Sequence, residues 1–394
     1  MKTQTGLERL LTEKDWGKKL PGNIGLLCHQ SSVDSKLRHG AFLLKDFFGP
    51  RIKKIFSPQH GFVGNVQDNM VESDHFHHEH LNLPVYSLYS ETRAPTGEML
   101  EGLDIVLVDL QDVGTRVYTF ISTVFLMMEA CAEKGIEVVI LDRPNPIGGQ
   151  LIEGNILEKA FSSFVGLRPL PSRHAMTMGE TALWAKRYGN LSCPLRVVEM
   201  KGYRREYLFS QTGLPWVPPS PNMPIPDSAL PFPGTVIFEG TSMSEGRGTT
   251  RPLEIVGHPA LDPWKHLGPL ENHLKGLRGF TLRPCIFLPT FQKHGGKNCG
   301  GYQLHVTDPM AFRPWRTAQL LCHYFYRHIE GFSWALPPYE YEDNILPIDL
   351  INGTDRLRLW IEKNGQRDEL DALEKPGLEE FRDQKRTLEL YPGS

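Results

Sequence analysis

Four short apolar runs in the first half of this chain each end in side chains that can carry protons or hold polar ligands. Residues 23–28 run into His29-Gln30-Ser31-Ser32, and residues 53–56 into Ser57-Pro58-Gln59-His60-Gly61. Residues 105–108 lead to Asp109, Gln111, Asp112 and Arg116, and residues 138–141 to Asp142-Arg143-Pro144-Asn145. Further on come Arg173-His174, Glu180, Asn222 and a glycine-rich loop carrying Glu239, Glu245 and Arg247. Carboxylates and imidazoles move protons, and arginines grip carboxylates. Two carboxyl groups flanking a bond are the minimum for cleaving a glycoside, and Glu98, Asp112, Glu153, Glu180, Glu239 and Glu245 are available. Spacing leaves open which pair would face a substrate. Part of the set also has a structural explanation: Thr177 to Glu180 fits a helix capping box, and Asp112 can cap the helix after it.

The elements that would position these groups follow from the pattern. Apolar runs alternate with helical stretches at 36–48 and from Arg116 to Lys134, which is the βαβ pattern of an α/β protein with a doubly wound parallel sheet. Right-handed crossovers place all the strand ends on one edge, where such sheets bind their ligands. That edge collects His29, Gln59, His60, Asp112, Arg116, Asp142, Arg143 and Asn145. Residues 6–20 predict a short helix, 83–89 a strand, 95–102 a short helix capped by Thr96, and 195–200 a last strand near the end of a first domain. The proline-dense stretch 213–234 is too apolar and aromatic for a flexible linker and is expected to be a rigid loop at the domain junction. A strand at 235–238 would then lead into the glycine-rich loop. Beyond 255, helices at 263–274 and 314–325 and strands at 279–287 and 301–307 form a second α/β unit with a charged helical tail from 355.

Several function classes are disfavoured. No Gly-x-Gly-x-x-Gly follows the first run, and neither a P-loop nor a Gly-x-Ser-x-Gly elbow occurs, so no nucleotide cofactor is expected. Asp74-His75-Phe76-His77-His78-Glu79-His80 has metal-ligand residue types but falls in an expected solvated loop without a second set of partners, so no metal is expected. The net charge of -3 without a basic cluster argues against nucleic acid. Six scattered cysteines without Cys-x-x-Cys spacing read as reduced thiols. The amino terminus lacks an apolar signal core and no run has membrane-spanning length, so a cytoplasmic protein without membrane contact is expected.

Six motifs, taken together and in order, carry a family resemblance. They are Ser-Pro-Gln-His-Gly-Phe (57–62), Tyr-Ser-Leu-Tyr (86–89), Asp-Leu-Gln-Asp-Val-Gly-Thr-Arg-Val-Tyr-Thr (109–119), Leu-Asp-Arg-Pro-Asn-Pro (141–146), Pro-Ser-Pro-Asn-Met-Pro (219–224) and Glu-Gly-Thr-Ser-Met-Ser-Glu-Gly-Arg-Gly-Thr (239–249). The chain resembles a family, long catalogued as a domain of unknown function, that includes exo-β-N-acetylmuramidases of peptidoglycan recycling. The resemblance implies a Rossmann-like domain (1–205), a smaller α/β auxiliary domain (206–394), and an active site in the cleft between them. It implies removal of terminal N-acetylmuramic acid from muropeptides or related amino-sugar glycosides, without a nucleotide cofactor; a homodimer stays open. Matching positions carry over Gln59, His60, Asp112, Arg116, Asp142, Arg143, Asn145, Arg173, His174, Glu180, Asn222, Glu239, Glu245 and Arg247, and the strand-end argument adds His29. Arg143, Arg173 or Arg247 would hold the lactyl carboxylate.

One departure stands out. Family muramidases resemble Pro-Glu-His-Gly where this chain has Pro58-Gln59-His60-Gly61. An amide exchanges no proton near pH 7, so if that glutamate is the acid, another group must act here. The catalytic candidates are therefore Gln59, His60, Glu98, Asp112 and Glu180, with Glu98 and Glu180 first for the missing acid. The alternatives are a hydrolase of a different glycoside or a sugar-binding protein without turnover.

Overall fold

The computed structural model describes residues 2–13, 15–67 and 70–393. The apolar runs form a seven-stranded sheet from β1 (Ile24–Cys28), β2 (Ile52–Ser57), β3 (Phe76–His78), β4 (Leu83–Ser87), β5 (Ile105–Asp109), β6 (Glu137–Leu141) and, after the short hairpin β7 (Glu153–Ile156) and β8 (Pro171–Arg173), β9 (Leu195–Val198). Their spatial order is β3-β4-β2-β1-β5-β6-β9, with every pair parallel except β3 on β4. β1 and β5 are buried throughout, as strands covered on both faces must be. Successive side chains serve opposite layers. Leu26, Ile55 and Leu107 pack with the helices Gly6–Thr12 and Gly40–Phe48, while Leu27, Phe56 and Val106 pack with Phe120–Lys134 and Met178–Arg187. The chain builds outward from β1 through β2 and β4, then returns to the other side of β1 for β5, β6 and β9. The carboxyl ends of β1 and β5 thus flank the switch point of the sheet.

The C-terminal half is a smaller α/β unit. Strands β10 (Ile255–His258), β11 (Phe280–Phe287) and β12 (Cys299–Val306) make an antiparallel sheet in the order β10-β12-β11, and the helices Pro263–His273 and Pro314–His328 pack in the same unit. The β7–β8 hairpin joins the halves: Glu153 accepts the Arg316 amide (3.0 Å) at the start of the Pro314–His328 helix. The tail returns to the first sheet, where Trp184 Nε1 donates to Gln384 (2.9 Å) and the Tyr391 hydroxyl to Asp142 (2.5 Å).

Three local expectations are corrected. Residues 95–102 are a turn; Thr96 caps the Met99 amide (3.3 Å), but no helix propagates from it. Residues 235–238 are helical, in Phe232–Thr235 and Val236–Gly240, because prolines at 231 and 233 fix φ for a first helical turn. The histidine-rich stretch contributes β3, an edge strand, where a loop was expected: His78 pairs with Leu83 and His77 with Pro84.

Candidate active site

Most of the polar strand ends hold the sheet edge together. Asp109, closing β5, takes both Nε (2.6 Å) and Nη2 (3.0 Å) of Arg143, whose Nη2 also donates to the Val33 carbonyl. Arg116 donates Nη1 to the carbonyls of Asn155 (3.0 Å) and Leu170 (2.9 Å), and Nη2 to those of Ile351 (3.0 Å) and Asn352 (2.9 Å). Asp142 accepts from the Thr177 hydroxyl (2.7 Å), the Gly179 amide (2.8 Å) and Tyr391, while burial pushes its carboxyl up to about 6. Asn145 bridges the Met176 carbonyl and the Ile147 amide, and Arg173 donates to the Ile147 carbonyl (2.6 Å). Glu180 makes the expected capping box with Thr177, pairs with Arg205 and accepts the Leu390 amide.

A buried charge must be paired or hydrogen-bonded, and the protein's own groups do this for all six. Arg116, Asp142, Arg143, Asn145, Arg173 and Glu180, expected at the site, do not line the cavity described below. Glu98 is exposed at the opposite end of the sheet, its turn tied down by Lys54 near the start of β2. It does not line the cavity described below.

Three other expected residues lie behind the site. Asp112 accepts the Gly114 amide (2.7 Å) and stands 3.5 Å from His174 Nε2, with its Oδ1 buried and unpartnered. His29 is fully buried with its ring edge against Phe120; burial first, then His60 and His39, hold its pKa well below the ordinary value.

The cleft itself opens where the loop after β2 meets the start of the Phe120–Lys134 helix and three segments of the C-terminal half. Gln59, His60, Tyr118, Thr119, Asn222, Glu239, Arg247, Tyr339 and Glu340 line one narrow cavity. The loop turns sharply at His60 (φ 72°) and Gly61 (φ 77°), both in the left-handed region. His60 Nδ1 lies 2.8 Å from the Val66 carbonyl, and burial holds its imidazole down at about 4, so it is neutral at pH 7. Thr119 donates to Gln59 Oε1 (2.5 Å), which turns the amide nitrogen toward Glu340 Oε1 (3.4 Å).

Across the cavity, Glu239 accepts from Arg247 Nη2 (2.6 Å) and the Tyr339 hydroxyl (2.8 Å). Glu245 pairs with Lys293 (2.9 Å) and Arg247 Nε (3.3 Å). Burial raises the Glu245 pKa, but the charges of Lys293 and Arg247 outweigh it and leave it lowered. Burial likewise lowers Arg247, and the two glutamates more than offset that, so its guanidinium stays charged between them. Glu340 differs. Burial pushes its carboxyl up to about 7, and the charge of Glu239 adds to this against hydrogen bonds from Tyr89 (2.8 Å) and Gln59. The cavity therefore holds one carboxylate clamped by an arginine and one carboxyl group poised near neutrality, a pairing that can divide base and acid roles.

Three lining residues carry a buried polar atom without a protein partner: Tyr118 Oη, Asn222 Oδ1 and Arg247 Nη1. Buried polar atoms are nearly always partnered, so these three are available to a polar ligand. A second, wider cavity shares Glu239 and Tyr339 with the first and adds Glu245 and Lys293. A larger hollow lies elsewhere; its Arg205, Arg316 and Arg382 are already paired with protein carboxylates.

Glu340 and Tyr339 escaped the sequence analysis because they end no strand. Their signal was an acid set among aromatic residues after a proline pair, Pro337-Pro338-Tyr339-Glu340-Tyr341. Tyr118 and Thr119 lay inside a quoted motif, and Lys293 in a segment with no pattern.

Residues 24–227 match the N-terminal domain, and residues 230–391 the C-terminal domain, of the family described as exo-β-N-acetylmuramidase NamZ. The chain belongs to this family. It is 44% identical over 319 residues to the peptidoglycan β-N-acetylmuramidase NamZ of Bacillus subtilis (strain 168), covering 80% of this chain and 75% of that one. Two crystal structures of DUF1343 family proteins from Bacteroides fragilis share the fold. One has a TM-score of 0.87 at 30% identity over 99% of both chains, the other 0.76 at 28% identity over 100% of both. NamZ membership agrees with the motif resemblance and with the two-part α/β architecture.

Proposed function

We propose that this chain is an exo-acting glycoside hydrolase that removes terminal N-acetylmuramic acid from the non-reducing end of peptidoglycan fragments. The observation that carries the proposal is the pair Glu239 and Glu340 facing one narrow cavity whose wall holds three unpartnered polar atoms. Acid and base carboxyl groups on one cavity are what glycoside hydrolysis requires. Arg247 is assigned to the lactyl carboxylate: of the three arginines expected there it alone lines the cavity, and its Nη1 has no protein partner. The electroneutral cluster of Glu239, Glu245, Arg247 and Lys293 lets an acidic sugar approach without net repulsion.

In this reading residues 1–205 supply the Gln59-His60 wall and residues 206–394 the carboxylates. The reaction uses no cofactor and takes place in the cytoplasm on recycled fragments. The NamZ relationship supports the chemistry, and release of 4-nitrophenol from 4-nitrophenyl β-N-acetylmuramide tests it. Wild-type turnover is expected, and Glu239→Gln is expected to lower it at least 100-fold. A second reading, a sugar-binding protein without turnover, is favoured by one observation, the amide at position 59. Saturable binding of N-acetylmuramic acid with no nitrophenol release would establish it instead.

A further inference from the structure

Glu340 sits at the tip of a tight turn in which Tyr339 and Glu342 exchange both backbone hydrogen bonds (3.0 Å each). Its two central residues, Glu340 (φ 47°) and Tyr341 (φ 69°), both lie in the left-handed region, the backbone of a type I′ turn that ordinarily takes Asn and Gly. Two bulky side chains there are strained, and such strain persists only where the surroundings enforce it. The enforcement comes from the other half of the molecule. Arg93 lies 3.6 Å from the Tyr341 ring centroid and 4.5 Å from that of Tyr89, and the Tyr341 hydroxyl donates to Glu72 (2.8 Å). The turn thus carries a buried carboxyl group across the cleft and seats it against Tyr89 and Gln59.

We propose that Glu340 is the general acid of this enzyme, standing one hydrogen bond from the position where the family's Pro-Glu-His-Gly motif carries its glutamate, and that Gln59 is its positioning residue. The proposal rests on the muramidase assignment above. Thr119 fixes the amide so that its NH₂ group, and not its oxygen, faces Glu340, which orients the carboxyl without competing for its proton. In the step, the proton passes from Glu340 to the glycosidic oxygen as the bond from that oxygen to the anomeric carbon breaks, the electron pair staying on the oxygen. The anomeric carbon gains the oxygen of a water molecule, and the proton that water gives up goes to the Glu239–Glu340 pair, restoring its single proton. A carboxyl group held near 7 by burial and by the Glu239 charge is suited to donate at neutral pH.

The test compares two glycosides with different need for an acid: the disaccharide N-acetylmuramyl-β-1,4-N-acetylglucosamine, whose sugar alcohol must be protonated to leave, and 4-nitrophenyl β-N-acetylmuramide, whose phenol leaves unaided. Glu340→Gln is expected to lower kcat on the disaccharide by about 100- to 10,000-fold and on the aryl glycoside by less than about 10-fold. The wild type is expected to lose kcat/KM on the disaccharide as pH rises through about 7. Gln59→Leu, which removes a hydrogen bond that lowers the Glu340 pKa, is expected to move that alkaline limb upward. Activity of Glu340→Gln within threefold of wild type on the disaccharide, or an equal loss on both substrates with no alkaline limb in the wild type, would overturn the proposal. If Glu239→Gln is inactive while Glu340→Gln is not, the acid assignment fails and the muramidase assignment stands. Silence of the wild type on both glycosides overturns both.

Discussion

Replacing Arg116 with methionine separates scaffold from substrate contact. The side chain volume is nearly kept, but four hydrogen bonds to the carbonyls of Asn155, Leu170, Ile351 and Asn352 disappear at once. These carbonyls belong to the β7–β8 region and the Pro347–Asn352 helix, so the guanidinium joins the two halves behind the cleft. A hydrogen bond contributes about 1 kcal/mol net, and a buried acceptor left unmade costs about 1–3 kcal/mol. Against this, the charge no longer pays for its burial, a cost visible in the Arg116 pKa brought down to about 9 by desolvation. The balance is a loss of roughly 3–5 kcal/mol, a large share of the roughly 5–15 kcal/mol typical of folded proteins. With about 2–4 °C per kcal/mol for domains of this size, the melting temperature should fall by about 10 °C. The assay is thermal unfolding with steady-state kinetics on the aryl muramide at a temperature where the variant stays folded. KM should move less than about threefold. A melting temperature unchanged within 2 °C together with a tenfold rise in KM would refute the argument and return Arg116 to the binding site.

Four further outcomes follow from particular contacts. Gly234→Ala places a methyl group 2.0 Å from the Pro314 carbonyl oxygen and 2.9 Å from Ala318 Cβ, so it should destabilise by at least about 2 kcal/mol, measured as a lower denaturation midpoint. Asp142 has a raised folded pKa of about 6, so the native state binds more protons than the unfolded chain between about 4 and 6, and this group's contribution to stability falls as pH rises through that window. The stability penalty of Asp142→Asn should therefore be larger at pH 4.5 than at pH 7.5; the reverse order in urea titrations would show the sign to be wrong. Tyr341→Ala removes the ring over Arg93 and the bond to Glu72 and should cut kcat/KM about 3- to 10-fold with little change in melting temperature, since its side chain is half exposed. Gln59→Glu puts a second carboxyl group 3.4 Å from Glu340, and like charges that close cannot both ionise freely, so the alkaline limb should move up by a unit or more. A downward shift would contradict that.

The sheet was legible because its strands are short apolar runs between helices, whereas the switch point at β1 and β5 was not, since crossover handedness alone fixes no strand order. The site was legible only in part. Gln59, His60, Asn222, Glu239 and Arg247, all within quoted motifs, line one cavity. Arg116 and Asp142 also sit in quoted motifs yet face inward, because a charged strand end looks identical in sequence whether its partner is a ligand or a backbone carbonyl 235 residues away, as Ile351 is from Arg116. Glu340 was invisible for the complementary reason. It reaches the cavity through a turn in the last quarter of the chain that only the docking of the two halves brings beside Gln59. The helical turn at 232–240 was misassigned as a strand because an apolar run of four residues has no period of its own.

The most direct test of the central claim is the identity of the product released from N-acetylmuramyl-β-1,4-N-acetylglucosamine, followed by mass spectrometry for the wild type and for Glu239→Gln. The account predicts free N-acetylmuramic acid and N-acetylglucosamine in equal amounts from the wild type, none from the variant, and no cleavage of a disaccharide with N-acetylglucosamine at its non-reducing end. An intact disaccharide after prolonged incubation with wild-type protein, or equal release by Glu239→Gln, would contradict it.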